Sequence, residues 1–299
     1  MSKLKISAIV LAVVVILVVV ILLLKTEAPN EPVSPVTEEP LKETQVATSP
    51  TTTKSTIGTS VENRKIEAYT FGTGDDNLLF VGGMHGGYEW NSILLAYDMA
   101  DYLESHPEQI PSNITIHIIP DLNPDGLYLA TGLEGKFSAT DIPNNSMHSS
   151  GIGRFNSRDV DLNRNFACKW APESSWRGKT VSAGSSAFSE PEAATLRDYV
   201  TTIKPKSVVF WHSQANNVYA SECENGVLPE TLALMRAYST AGNYGAVPVF
   251  NAYPITGDAE GWLASIGIPA VTVELETRTS VEWERNLAGT KAVLQIYGK

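Results

Sequence analysis

Four short apolar runs, LLFVGG (78–83), ITIHIIP (114–120), SVVFW (207–211) and AVTVEL (270–275), alternate with longer segments of helical period. Short apolar runs of this kind read as buried strands. NSILLAYDMADYLES (91–105), EPEAATLRDYVTTI (190–203), ETLALMRAYSTAG (230–242) and the last twenty residues read as helices. That alternation predicts an α/β fold: a mixed, mostly parallel central sheet with helices on both faces. Ser189 and Glu192, three apart around Pro191, read as a capping box opening the second helix.

Polar residues gather where the strands end. His85 follows LLFVGG, His212 follows SVVFW, and Glu274 closes AVTVE. Ligands in open α/β sheets bind beyond the carboxyl ends of the strands, so the three point at one crevice. GGMHGGYE (82–89) places His85 and Glu89 on a glycine-rich strand-to-helix turn. Two histidines and one glutamate, His85, Glu89 and His212, make a three-ligand set for one catalytic zinc with a fourth position open. A carboxylate at Glu89 also suits a helix N-terminus. His106 and His148 read as loop residues and His117 as a strand position outside this set.

The ends of the chain differ from its body. Lys3 and Lys5 precede nineteen uncharged residues, Ile6 to Leu24, enough for a helix to cross about 30 Å of hydrocarbon. Residues 1–25 therefore read as a membrane anchor with its N-terminus cytoplasmic, and the remainder as extracytoplasmic, at a cell surface or in a periplasm. Residues 26–62, rich in Pro, Thr, Ser and Glu, read as a disordered tether spanning about 35 Å. Residues 63–299 are left for one catalytic domain. A net charge of -11 and the lack of a basic run argue against nucleic acid as a partner. Cys168 and Cys223 are the only cysteines; an extracytoplasmic domain permits a bridge between them, and two buried thiols are the alternative.

RFNSRDVDLNRNF (154–166) packs three arginines into an acidic chain. Together with GGMHGGYE, NPDG, FSEPEA, WHS, YPITGDAEGW and VTVELE, in that family's order from about Ile66 to Leu287, it resembles the zinc carboxypeptidases of the carboxypeptidase A and B type. The resemblance implies a carboxypeptidase-like α/β/α sandwich with one zinc ion per chain. It implies that Asn163 and Arg164 bind the substrate's free C-terminal carboxylate, that Arg154 polarises the scissile carbonyl, and that Tyr253 closes over the substrate. Glu274, in register with the family's motif, is implied as the general base, with Glu276 as the competing residue. A guanidinium matches a carboxylate with two parallel charge-assisted hydrogen bonds, so the chemistry agrees. Arg158 is expected to pair with Asp159 or Asp161.

The chain departs from the family at HGGYE, with three residues between histidine and acid instead of two, which puts Tyr88 where the acid usually stands. Asp258 and Glu260 are expected to line the pocket for the released residue and to favour Lys, Arg or a diamino acid, or else to cap the helix near Gly261. These readings converge on a membrane-anchored metallocarboxypeptidase acting on peptides with a free C-terminus. A cell-wall peptide amidase or N-acyl amino acid deacylase on the same scaffold, and a noncatalytic peptide-binding module with a decayed metal site, are the alternatives.

Overall fold

The computed structural model describes residues 52–143 and 150–299. The expected membrane span and the tether up to residue 51 lie outside them, and among the described residues no helix is long and apolar enough to cross a membrane.

Twelve strands are present among the described residues: β1 (Thr53–Thr59), β2 (Lys65–Gly72), β3 (Asp76–Val81), β4 (Ile114–Ile119), β5 (Glu173–Trp176), β6 (Lys179–Ser182), β7 (Ser207–Ser213), β8 (Asn217–Ala220), β9 (Glu222–Cys223), β10 (Gly226–Val227), β11 (Gly245–Val247) and β12 (Ala270–Leu275). Eight of them form one sheet in the order β1-β2-β4-β3-β7-β12-β8-β11, while β5–β6 and β9–β10 are separate hairpins. The central four, β4-β3-β7-β12, run parallel, and β1, β2 and β8 add antiparallel pairings. The helices are α1 (Trp90–Ser105), α2 (Pro124–Thr131), α3 (Pro191–Ile203), α4 (Pro229–Gly242), α5 (Ala259–Ser265) and α6 (Trp283–Tyr297).

Strand β3 shows why helices cover both faces. Leu78 and Phe80 pack with Leu95 and Met99 of α1, Leu234 of α4 and Val293 of α6. Leu79 and Val81, pointing the other way, pack with Leu196 and Val200 of α3 and Leu263 of α5. Alternate side chains of one buried strand feed two cores, and the four apolar runs are the four strands so enclosed. The edge strands β1, β2, β8 and β11 are shorter or more polar and left no such run.

Two expectations need correction. The tether does not reach Glu62: Thr53 to Thr59 pair with β2, and the next three residues are tied down. The Ser60 hydroxyl donates to Asp125 (2.7 Å), the Val61 amide to Glu192 (3.0 Å) and the Glu62 amide to Asp125 (3.0 Å). A polar edge strand has the composition of a coil, and only its hydrogen-bond partners distinguish it. The capping box at α3 is also absent. Glu190 is the N-cap, and the wholly buried Glu192 accepts from Val61 and from Asn156 (3.2 Å) instead of reaching back to Ser189.

Cys168 and Cys223 form a disulfide across a separation of 55 residues. By loop-closure entropy it stabilises the fold by about 4 kcal/mol, and it ties the segment after the arginine-rich motif to the β9–β10 hairpin.

A chain starting at Asn63 takes one donor from Glu192 and two from Asp125, leaving Asn156 and Arg64 as their remaining partners. Its melting temperature is expected to fall by roughly 5–15 °C relative to one starting at Thr48, measured by thermal denaturation. Equal melting temperatures would show that β1 is an ornament of the sheet.

Candidate metal centre and carboxylate clamp

Register brings the site together. Strands β3, β7 and β12 are neighbours, Val81 lies beside Phe210, and Glu274 is the direct partner of His212. His212 and Glu274 therefore share a face at the carboxyl edge of the sheet, two residues beyond Phe210 and Thr272. His85 arrives on the turn after β3.

That turn holds the extra residue. Gly86 to Glu89 wind into one 3-10 turn, which places His85 Nδ1 3.1 Å from Glu89 Oε1. Gly86 has φ +44°, and a Cβ there would sit 2.8 Å from the carbonyl oxygens of Asn123 and Gly153. No side chain fits, which is why the turn is glycine. Tyr88 points away from the ligands as a buried wall, edge-on to Trp176 at 5.5 Å.

His212 Nδ1 lies 3.0 Å from Glu89 Oε2 and 3.2 Å from His85 Nδ1. All three side chains are buried, and their ligand atoms lie within 4.8 Å of one another. Two imidazole nitrogens and a carboxylate oxygen at such spacing fit the edges of a tetrahedron with bonds of about 2.0–2.1 Å. The far ring nitrogens face carboxylates at ion-pair range, short of a hydrogen bond. His85 Nε2 faces Asp161 Oδ1 at 3.3 Å and His212 Nε2 faces Glu260 Oε1 at 3.6 Å. A carboxylate behind a histidine fixes its ring and tautomer, so the donor set suits a divalent metal.

The electrostatics ask for a cation. Burial alone would lower His212, but Glu89, Glu260 and Glu274 outweigh it and lift the imidazolium to about 9. Burial would raise Glu89, and the two histidines hold it well below the usual carboxylate range. Burial, and then the Glu89 carboxylate, push Glu274 up to about 7. Glu274 Oε2 has no hydrogen-bond partner among the described residues. Glu276 is exposed, pairs with Arg285 at 3.0 Å and is not among the residues lining the cleft that holds Glu274.

The arginine motif divides its labour. Arg154 is buried, donating from Nη2 to Asp161 Oδ2 at 2.8 Å, with Nη1 3.8 Å from Glu89. Arg164 is equally buried, but its bonds go only to the Ser174 hydroxyl (3.0 Å) and the Asn163 carbonyl (2.6 Å), with no acid in ion-pair range among the described residues. Asn163 accepts from the Ala259 amide through Oδ1 (2.9 Å), which leaves its NH₂ for a ligand. Arg158 pairs with neither Asp159 nor Asp161; its partner is Glu190 at 3.5 Å, because Asp161 is turned inward to Arg154 and His85.

His85, Glu89, Arg154, Asn163, Arg164, His212, Tyr253, Asp258, Glu260 and Glu274 all line one cleft of about 620 Å³. Tyr253 is exposed at its mouth and packs against Phe250. Asp258 caps α5, accepting from the Gly261 amide at 2.7 Å, and burial, then Glu260, raise it to about 6. Glu260 accepts from the Thr272 hydroxyl at 2.8 Å. His117 stays outside: it bonds to Asn77 and Tyr199, and burial lowers it to about 4. His106 is exposed beyond α1, and His148 lies outside the described residues. The sequence reading missed Asp161 as the carboxylate that orients His85 and Arg154; its signal was an acid within the arginine motif itself.

A family model described as zinc carboxypeptidase matches residues 37–283. Carboxypeptidase Z of Gallus gallus is 32% identical over 139 residues, covering 42% of this chain and 20% of that protein. Carboxypeptidase D of Drosophila melanogaster is 32% identical over 123 residues. The chain spans only 20% and 8% of the length of these two relatives. Among solved structures, thrombin activatable fibrinolysis inhibitor superposes with a TM-score of 0.63 at 18% identity, covering 82% of this chain and 68% of the other. Murein-tripeptide amidase MpaA from Escherichia coli O157 gives 0.57 at 20% identity, covering 81% and 91%. At these identities the superpositions show a shared fold.

Without metal, protonated His212 stabilises the fold fully below pH 6.5, and that contribution is lost as the pH rises through about 9. Glu274, raised from 4.5 to about 7, loses its contribution in the same direction. The melting temperature of chelated protein is expected to fall between pH 6.5 and 9 and that of zinc-loaded protein to stay level, by calorimetry; a level curve for the chelated protein would contradict the charge balance described.

Proposed function

Because this chain belongs to the zinc carboxypeptidase family, with the residues for one zinc in place, we propose that it is a metallocarboxypeptidase releasing single residues from peptide C-termini. The observation that carries this reading is Arg164. A buried guanidinium without an acid partner, beside the free amide of Asn163 and in the same cleft as the metal ligands, calls for a carboxylate from outside.

Zinc bound to His85, Glu89 and His212 supplies Lewis acidity, which polarises a carbonyl and lowers the pKa of water toward ~7. The protein residues do the rest. Arg164 and Asn163 fix the terminal carboxylate and with it the position of the last peptide bond. Arg154, kept charged by Asp161, directs its guanidinium at the carbonyl oxygen as negative charge develops there. Glu274 takes a proton from the attacking water on its unpartnered Oε2 and returns it to the departing amine. Tyr253 and Trp176 border the cleft and limit the access of bulk water to it.

A second reading has its own support. Murein-tripeptide amidase MpaA shares the fold over 91% of its length, and an amide bond to a diamino acid with a free carboxylate would use the same clamp. Asp258 and Glu260 line the cleft, and either places negative charge near a basic or diamino side chain. The decayed-site alternative loses its main ground, since the HGGYE turn brings Glu89 to both histidines. The apolar run at residues 6–24 and the Cys168–Cys223 bridge support a domain anchored to a membrane and facing outward.

The test is the full-length, zinc-loaded chain against peptides with varied C-terminal residues, C-terminal amides and diamino-acid peptides, with released residues read by mass spectrometry. Release of single residues that amidation blocks is expected. Glu274→Gln should keep one zinc and lose about 10²–10⁴-fold in kcat. Arg164→Ala should lower kcat/KM about 10²-fold for free acids and narrow the gap to the amides. A fully active Glu274→Gln, or an enzyme indifferent to amidation, would overturn the proposal.

A further inference from the structure

A third guanidinium in the cleft is not used by this mechanism. Arg278 stands four residues beyond Glu274, lines the same cleft, and lies 4.1 Å from the Tyr88 ring centroid. Its Nη1 is shut off from solvent and finds no hydrogen-bond acceptor among the described residues, although its charge reaches Glu274. A polar group held in that way is costly unless a ligand completes it.

Arg278 is held rigidly. The Asn91 amide donates to the carbonyls of Thr277 (2.8 Å) and Ser280 (2.9 Å), on either side of it. Asn91 Oδ1 in turn accepts from the Ser213 hydroxyl, next to the metal ligand His212. Glu282 takes the amides of Glu276 and Thr277 at 2.8 and 3.1 Å. The loop that carries Arg278 is thereby fastened to the metal centre, as a binding group requires and a solvated surface arginine does not.

Its place in the cleft gives the side of the substrate it meets. Arg164 and Asn163, with Ser174 and the start of α5, hold the terminal carboxylate. Tyr88, the residue before Glu89, is shared by Arg278 (4.1 Å) and Arg154 (5.7 Å), so Arg278 lies on the side of the cleft that holds Arg154. A peptide held at Arg164, with its scissile carbonyl at Arg154, would then offer its acyl portion to Arg278.

We propose that Arg278 is a specificity-determining residue that binds a second carboxylate, on the acyl side of the scissile bond. The proposal rests on the carboxypeptidase reading above. The chemistry has two sources: the side chain of an aspartate or glutamate, or the free α-carboxylate of a glutamate joined through its side chain. An arginine binds either through paired, charge-assisted hydrogen bonds, and the aromatic face of Tyr88 keeps its plane oriented.

The experiment compares kcat/KM of the full-length, zinc-loaded chain on three peptides with one C-terminal residue, differing only in the residue before it: α-linked Glu, γ-linked Glu and neutral Gln. At least one acidic peptide is expected to exceed the neutral one by about 10–100-fold, the range of a charge-assisted bond. Arg278→Gln should collapse that ratio toward one, with most of the fall in the acidic arm, and Arg278→Lys should restore part of it. Which acidic peptide leads identifies the source. Equal rates on all three peptides in the unaltered chain overturn the subsite and leave the carboxypeptidase reading standing, whereas no release from any peptide overturns both. If Arg278 acts only on Glu274, the variant lowers all three rates equally and shifts the acid limb of the pH profile, and the proposal fails.

Discussion

Carboxylates crowded at the ends of three adjacent strands govern this structure. Glu89, Asp161 and Glu260 are buried, Glu274 is beside them, and the fold tolerates them because imidazoles and a guanidinium are interleaved: His85 and His212 between Glu89 and the carboxylates behind, Arg154 between Asp161 and Glu89. Taking any one charge out would leave its neighbour buried and unpaired, a change of several kcal/mol. The same crowding keeps a place for a metal, since a divalent ion satisfies Glu89 and both histidines better than protons do.

Rigidity follows from where these groups are anchored. The ligands lie on two strand ends and a 3-10 turn whose glycines lie against neighbouring backbone, so the positions are set by the sheet and not by mobile loops. Asp161 ties the metal ligands to Arg154 by facing His85 and accepting from Arg154 at once. The disulfide and Asn91 extend this support outward, to the segment after the arginine motif and to the loop after β12. The site is thereby organised before substrate arrives, which is what electrostatic stabilisation of a transition state needs.

The three arginines that line the cleft differ in one respect that separates their roles. Arg154 has an acid of its own at 2.8 Å, while Arg164 and Arg278 form no salt bridge among the described residues and act on Asp258 and Glu274 only from a distance. An arginine already neutralised is suited to a carbonyl oxygen whose charge is transient. Unneutralised arginines are suited to ligands that arrive fully charged.

The sequence by itself determined the four central strands, the helices between them and the three residues that could hold a metal, while Asn163 and Arg164 were marked by the family resemblance. The strands and ligands depend on local pattern: a short apolar run between helical segments, a histidine at a strand end. It misjudged the edge strand β1 and the capping box because a polar strand resembles coil, and because Glu192 had a better partner far away in sequence. Tertiary structure alone decided that the HGGYE turn absorbs its additional residue, that Asp161 faces inward and leaves Arg158 to Glu190, and that Glu260 stands behind His212. These are choices among several possible charge partners, made by which groups the sheet brings within a few ångströms, and spacing along a chain does not carry that distance.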